Sequence, residues 1–234
     1  MVISEPNFML RKVNSNGSST PPRLPLLSRI LLAAQTPDTR FTLAALSYRG
    51  YWTSSGRASQ RGIQKDAQAF LQWATTNYPG SKIILWGQSI GAGIATQAMA
   101  DWMKDNPDAD DRISGLLLET PFVSVRRMLE ALYPEKWVPY RYLWPFLRNW
   151  WDSEHALSNI ATSKVASRLL LLPAGRDEVV PAQEADYLEQ TCKQLNLDYT
   201  RKDVLGALHH EASTKNTGRR AIVEFLREVS ERKV

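Results

Sequence analysis

The chain has 234 residues, a length typical of one globular domain, and 43% of its residues are hydrophobic. Its formal net charge is +5, but the basic residues are scattered among acidic ones and form no stripe or binding motif, which disfavours nucleic acid as a partner. The single cysteine, Cys192, excludes an intrachain disulfide.

The N-terminal residues lack a basic stretch followed by an apolar run, and no stretch of the chain is apolar for long enough to cross a bilayer. We therefore predict neither a signal peptide nor a transmembrane segment. We expect a protein of the cytoplasm or of a membrane surface, because a positive net charge is compatible with weak attraction to anionic lipids.

Apolar runs alternate with amphipathic stretches along most of the chain. In chain order they predict a helix at 24–31, a strand at 41–46, a helix at 61–76, a strand at 82–86, a helix at 90–104, strands at 115–118 and 168–172, a helix at 182–194, a weak strand at 198–201 and a helix at 217–232. This alternation is typical of an α/β fold, a mostly parallel sheet with helices on both faces. We predict one such domain over residues 1–234, with its catalytic residues in loops beyond the carboxyl ends of the strands.

The most informative motif is Gly87-Gln88-Ser89-Ile90-Gly91. It joins the strand at 82–86 to the helix at 90–104, which is the context that a nucleophile elbow requires. We expect side chains at Gly87 or Gly91 to collide in so tight a turn. The motif predicts that Ser89 is a nucleophile held above the edge of the sheet.

A long insert, at about 123–165, separates the strands at 115–118 and 168–172. It is rich in aromatic residues, and four of the eight tryptophans lie between residues 137 and 151. A connection of this length is typical of a lid or binding loop, in which Trp137, Tyr140 and Trp144 would line a pocket for an apolar acyl group. The alternative is a small helical subdomain whose aromatic side chains pack on the sheet.

A serine nucleophile needs a base, and the chain has three histidines, His155, His209 and His210. In this kind of fold the histidine comes after the nucleophile and the acid, which disfavours His155 in the insert. His209 and His210 both follow the last strand. We favour His209, although the spacing alone does not separate the two neighbours.

The acid is expected directly after the strand at 168–172, where Asp177 lies in a glycine-containing turn. There it would accept the Nδ1 proton of the histidine and stabilise the imidazolium. Asp177 could instead cap a turn or helix, and Glu178 and Glu119 are the rival acids. The histidines lack the spacing of metal ligands, so we predict no metal site and no cofactor.

An oxyanion hole needs two N–H donors. The backbone N–H of Ile90, directly after the nucleophile, is predicted to be one. The second is expected from the polar loop at 14–18, through Ser15 or Asn16. Loss of one such donor costs other enzymes on the order of a hundredfold in rate or more.

The order and spacing of five motifs resemble the α/β-hydrolase superfamily, and within it the membrane-associated serine hydrolases that include lysophospholipases and protein depalmitoylases. The motifs are Ser-Tyr-Arg-Gly-Tyr at 47–51, the elbow at 87–91, Glu-Thr-Pro-Phe at 119–122, Gly-Arg-Asp-Glu-Val-Val-Pro at 175–181 and Gly-Ala-Leu-His at 206–209. The resemblance implies Ser89 as nucleophile, Asp177 as acid and His209, rather than His210, as base. It also implies that N-terminal strands of the family, with their His-Gly oxyanion loop, are missing here.

These residues together predict a serine hydrolase that cleaves esters or thioesters with an apolar acyl group through an acyl-Ser89 intermediate. Its partner would be a small-molecule ester or an acyl-lipid-like substrate. Two alternatives stay open. One is a catalytically impaired hydrolase-fold protein that acts as a binding module, and the other is a serine peptidase of the same fold.

Overall fold

The computed structural model describes residues 2–5, 23–51, 54–107, 112–132, 149–163 and 167–232, which form six strands and seven helices. In chain order these are β1 (Val2–Glu5), α1 (Leu24–Ala34), β2 (Arg40–Leu43), α2 (Gln60–Asn77), β3 (Lys82–Gln88), α3 (Ile90–Asp105), β4 (Ile113–Glu119), α4 (Val125–Leu132), α5 (Ser153–Ala161), β5 (Arg168–Leu172), α6 (Ala182–Gln194), β6 (Asp198–Arg201) and α7 (Asn216–Glu231).

The strands form one sheet in the order β2-β1-β3-β4-β5-β6. Strands β3 to β6 are parallel, and β1 is antiparallel to both of its neighbours. Strand β2 therefore runs in the same direction as β3. The predicted mostly parallel sheet is confirmed, whereas β1 is a strand that the sequence pattern did not predict.

Alternating strand residues face two separate cores, one on each side of the sheet. Ile84, Leu117 and Leu170 pack with buried residues of α1 and α7. On the opposite face, Leu116 and Leu169 pack with buried residues of α2, α3, α5 and α6. Each fully buried aliphatic side chain contributes about 1.5–3 kcal/mol, so helices on both faces are required to cover these apolar strands.

The insert begins and ends at neighbouring points of the fold. Val125 N–H donates to the carbonyl of Trp150 over 3.0 Å, and Ser153 N–H donates to the carbonyl of Val123 over 2.8 Å. Helix α5 packs against α3, and Trp151 is only 1% exposed. The described part of the insert thus includes two helices, and Trp151 serves packing. Residues 133–148, with Trp137, Tyr140 and Trp144, lie outside the described residues.

Two smaller features bear on the sequence-based expectations. Cys192 is fully buried in α6, and burial raises the pKa of its thiol to about 12. In the part of the chain that the structure describes, none of the helices has the length and apolar character needed to span a bilayer.

Candidate active site

Ser89 lies in the turn between β3 and α3 with a φ of 52° and a ψ of −121°. A positive φ is strained for a residue with a side chain and is typical of functional positions. Its N–H donates to the carbonyl of Glu119 over 2.9 Å, which fixes the turn against the end of β4. The backbone of Ser89 therefore has the strained turn that the sequence motif predicts.

The two glycines of the elbow have different roles. A Cβ atom at Gly87 would lie 2.1 Å from the carbonyl oxygen of Gly91, so position 87 requires glycine. A Cβ atom at Gly91 would meet no atom within 4 Å. The expectation of a collision at both glycines is therefore wrong for Gly91, because that residue already lies in the first turn of α3, with its Cβ direction open.

Ile90 is the first residue of α3 and directly follows Ser89. The first N–H groups of a helix have no intrahelical acceptor and carry the positive end of the helix dipole. The backbone N–H of Ile90 is one of these groups. Ser15 and Asn16, the residues expected to supply the second donor, lie outside the described residues.

The structure brings Asp177 and His209 together. His209 Nδ1 lies 2.9 Å from Oδ1 and 3.0 Å from Oδ2 of Asp177. When the carboxylate is ionised and the imidazole neutral, Asp177 can only accept, so this contact holds the proton on Nδ1 and leaves the Nε2 lone pair free. The exposed fractions of the two side chains are 3% and 6%, so solvent screens the pair weakly.

The loops that carry the pair are held by further hydrogen bonds. Asp177 Oδ1 accepts from the N–H groups of Val179 and Val180, over 2.9 Å and 2.7 Å. Asp177 therefore also fixes its own turn, the structural role considered from the sequence. Its neighbour Glu178 accepts from the N–H of His209 over 2.9 Å, and this hydrogen bond lowers the pKa of the Glu178 carboxyl.

The histidine loop is also tied to the elbow. The Gln88 side-chain amide donates to the carbonyl of His209 over 3.2 Å, which holds the histidine loop beside the residue that precedes Ser89. No hydrogen bond joins Ser89 to the His209 ring among the described residues. Such contacts are often long in unliganded enzymes and shorten in the reacting complex. His210 is exposed, and its ring packs edge-on against the His209 ring with 4.8 Å between the ring centroids. His155 is exposed on α5.

Glu119, the rival acid, is fully buried at the end of β4 and is committed elsewhere. It accepts from Trp86 Nε1 over 2.9 Å, from the Ser213 N–H over 3.0 Å and from Arg23 over 2.8 Å. A buried carboxylate needs such partners to offset its desolvation. Glu119 thus links α1, the β3 and β4 strands and the segment that follows His209.

The sequence did not predict Arg23 and Ser213 as part of this cluster. Arg23 donates to Ser213 Oγ over 2.7 Å and also contacts the Gln88 side chain. The sequence did contain one indication of such a cluster, because a glutamate that ends an apolar strand requires a cation or several N–H donors when it is buried. No local sequence pattern identifies Arg23 as that cation.

The described residues contain no group of three or more His, Cys, Asp or Glu side chains that could hold a metal ion.

A protein-family model described as serine aminopeptidase, S33, matches residues 38–151. The matched segment contains Ser89 and ends before Asp177 and His209.

Several curated proteins are similar in sequence. The protein bem46 of Schizosaccharomyces pombe is 28% identical over 76% of this chain and 54% of its own length. The α/β hydrolase domain-containing protein WAV2 of Arabidopsis thaliana is 35% identical over 58% of this chain and 44% of its own. The lysophosphatidylserine lipase ABHD12 of Bos taurus is 31% identical over 61% of this chain and 36% of its own. The chain thus spans about half or less of these relatives.

Solved structures show the same fold at low sequence identity. An esterase of Pyrobaculum calidifontis has a TM-score of 0.59 and 14% identity, over 94% of this chain and 78% of its own. An esterase of Pyrococcus furiosus has a TM-score of 0.59 and 18% identity, over 94% of this chain and 79% of its own. Together with the sheet topology, these structures identify the architecture as the α/β-hydrolase fold.

Proposed function

The chain belongs to the α/β-hydrolase superfamily, as an α/β-hydrolase-domain protein, and from this premise we propose that it is a serine hydrolase of carboxylic esters or thioesters with an apolar acyl group. The observation that carries the proposal is the buried Asp177–His209 pair, whose histidine loop is tied by Gln88 to the strained turn of Ser89.

In this mechanism, Ser89 Oγ attacks the acyl carbonyl while His209 Nε2 takes the hydroxyl proton. Asp177 keeps the Nδ1 proton on the imidazole and stabilises the imidazolium that forms. The tetrahedral oxyanion accepts from Ile90 N–H, and a second donor is proposed from Ser15 or Asn16.

Collapse of the tetrahedral intermediate breaks the bond to the alcohol or thiol, which leaves with the proton held by His209. Water then attacks the acyl-Ser89 ester, with His209 taking its proton, and the carboxylic acid and free Ser89 are released. These reaction steps need no cofactor, because every proton transfer passes through His209.

The names of similar proteins support the proposed substrate class. One similar protein is named for lysophosphatidylserine lipase activity, and two structures of the same fold are named as esterases. These names favour a small-molecule ester or an acyl lipid, met in the cytoplasm or at a membrane surface. Trp137, Tyr140 and Trp144 stay proposed substrate-binding residues.

The alternatives differ in what the folded protein cleaves. The description of the matching family model, a serine aminopeptidase, favours the peptidase as the second candidate. We expect hydrolysis of nitrophenyl esters and no cleavage of aminoacyl nitroanilides. Anilide cleavage without ester preference would favour the peptidase, and a folded protein inactive on both would favour the binding module.

A further inference from the structure

Helices α1 and α7 lie side by side on one face of the sheet and run in the same direction. Near their N-terminal ends, Arg23 donates to Ser213 Oγ over 2.7 Å. Towards their C-terminal ends, the Arg227 guanidinium donates to the carbonyls of Ala33 and Ala34, over 2.7 Å and 3.2 Å. Contacts at both ends fix the spacing of the two helices and of the groove between them.

This α1–α7 groove has a volume of about 540 Å³ and a strongly basic lining. Its charged groups are four arginines and one glutamate, Arg29, Arg219, Arg220, Arg227 and Glu224. The positions that α7 contributes recur every three or four residues, so they lie on one face of the helix. Neither the elbow nor the Asp177–His209 pair lines the groove. The cluster is invisible in the sequence, where Arg29 is far from the others.

The positive charge of the groove is not compensated. Among the described residues, none of its four arginines forms an ion pair. Glu224 forms none either, although Arg220 and Arg227 lie four and three residues from it on the same helix. Elsewhere, arginines such as Arg49 and Arg201 pair with carboxylates at 2.6 Å and 2.8 Å. Uncompensated charge of one sign in a groove raises the local concentration of ligands of the opposite sign.

Two of these guanidinium groups are open to a ligand. Arg227 is held by the carbonyls of α1, and Arg219 donates to Asn216 Oδ1. Arg29 and Arg220 are exposed and have no hydrogen bond to any described residue. Since Arg29 belongs to α1 and Arg220 to α7, an anion between the helices can accept hydrogen bonds from both walls.

The chemistry of these two groups favours a phosphate monoester. A guanidinium presents its N–H donors in a planar fork that matches phosphate oxygens. A monoester phosphate carries about 1.5 to 2 negative charges and three acceptor oxygens, enough for two such forks, whereas a carboxylate carries one charge and two oxygens. The aliphatic side chains of Ile30, Ala33 and Val223 complete the lining and would contact the rest of the ligand.

We propose that the α1–α7 groove binds a phosphate monoester between Arg29 and Arg220, at a site separate from the catalytic residues. The same group occurs in soluble metabolites and in the headgroup of phosphatidic acid, and the same donors would bind it in both. The inference does not depend on the hydrolase proposal, because no residue of the groove takes part in the proposed reaction.

Calorimetric titration with glycerol 3-phosphate at physiological ionic strength tests the site. We expect the dissociation constant to rise by about tenfold or more in the double variant Arg29→Gln/Arg220→Gln, which loses the charged donors of both walls. The matched control is Arg57→Gln/Arg61→Gln, which removes the same charge from two exposed positions in and just before α2, on the opposite face of the sheet. The control should bind as the wild type does.

A second double variant separates recognition from general attraction. Arg29→Lys/Arg220→Lys keeps both charges but loses both forks, so we expect it to bind glycerol 3-phosphate more weakly than the wild type. Equal losses in Arg29→Gln/Arg220→Gln and in the α2 control would overturn the proposal, because the attraction would then come from net charge alone. Unchanged affinity in Arg29→Gln/Arg220→Gln would overturn it as well.

Vesicles distinguish the two sources of the phosphate. Sedimentation with phosphatidylcholine vesicles that contain phosphatidic acid, but not with phosphatidylcholine alone, would assign a lipid headgroup if Arg29→Gln/Arg220→Gln abolishes it. Binding of glycerol 3-phosphate without sedimentation would assign a soluble ligand. A folded wild-type protein that binds neither glycerol 3-phosphate nor these vesicles would overturn the proposal.

Discussion

His209 Nδ1 lies 2.9 Å from Asp177 Oδ1, and both side chains are almost completely buried. Two separate contacts fix the backbone of His209, since Glu178 accepts from its N–H and Gln88 donates to its carbonyl. The imidazole is thus held by its ring and by its backbone. Such fixation is what a general base needs, because misplacement of about 1 Å costs other enzymes about a hundredfold in rate.

Replacement of the acid tests the tautomer argument. Asp177→Asn keeps the shape but offers an amide that can donate to Nδ1, which favours the wrong tautomer. We expect kcat for ester hydrolysis to fall by roughly a thousand- to ten-thousandfold with little change in KM, measured by steady-state kinetics. Glu178→Gln is the matched control and should cost far less, because Glu178 contacts only the backbone of His209. Equal losses in the two variants would contradict the assignment of the acid.

The elbow glycines give a paired stability test. Gly87→Ala forces a Cβ atom to within 2.1 Å of the Gly91 carbonyl oxygen. We expect its free energy of unfolding in urea to fall by about 3 kcal/mol or more. Gly91→Ala meets open space and improves helix propensity, so it should be neutral or stabilising by up to about 1 kcal/mol. Similar destabilisation by both substitutions would show that the turn differs from the one described.

Glu119 is expected to hold the histidine loop without taking part in the reaction. Glu119→Gln removes a charged acceptor from Arg23 and from the Ser213 N–H. We expect the free energy of unfolding to fall by about 1–3 kcal/mol. Glu130→Gln, which breaks an exposed pair with Arg126 on α4, should change stability by less than about 0.5 kcal/mol. No difference between the two variants in urea denaturation would argue against the network.

Acid should loosen the histidine loop. A hydrogen bond from the His209 N–H lowers the pKa of Glu178 from 4.5, and one from the Leu208 N–H lowers that of Glu211. Because their folded-state pKa values are below the unfolded ones, both carboxylates stabilise the fold above about pH 4.5, and this stabilisation is lost as pH falls through the folded-state values. Urea unfolding should therefore show stability falling below about pH 4.5, less steeply in Glu178→Gln. Parallel pH curves for the two proteins would count against this.

Much of the fold could be predicted because its signals are local. Strand β5 and helix α6 have the predicted bounds, since apolar runs and helical periodicity depend on neighbouring residues. Strand β1 has only four residues, and its pairing is determined by β2 and β3, which are distant in sequence. The residues of β1 alone do not indicate this pairing.

The candidate site likewise combines features that the sequence predicts with contacts between distant residues that it does not predict. The proximity of Asp177 and His209 follows from strand order and the rule that loops meet at the carboxyl edge of the sheet. The Arg23–Glu119 contact joins residues far apart in the chain, and no local pattern selects this arginine among the others. The open space at Gly91 likewise depends on the path of α3, which the elbow motif alone does not determine.

The central claim is that Ser89 is the nucleophile, and an adduct with a fluorophosphonate probe tests it most directly. Mass spectrometry of the labelled, folded wild-type protein should place one adduct on the peptide that contains Ser89, and Ser89→Ala should carry none. A folded wild-type protein without the adduct, or a Ser89→Ala variant that is labelled as well as the wild type, would contradict the claim.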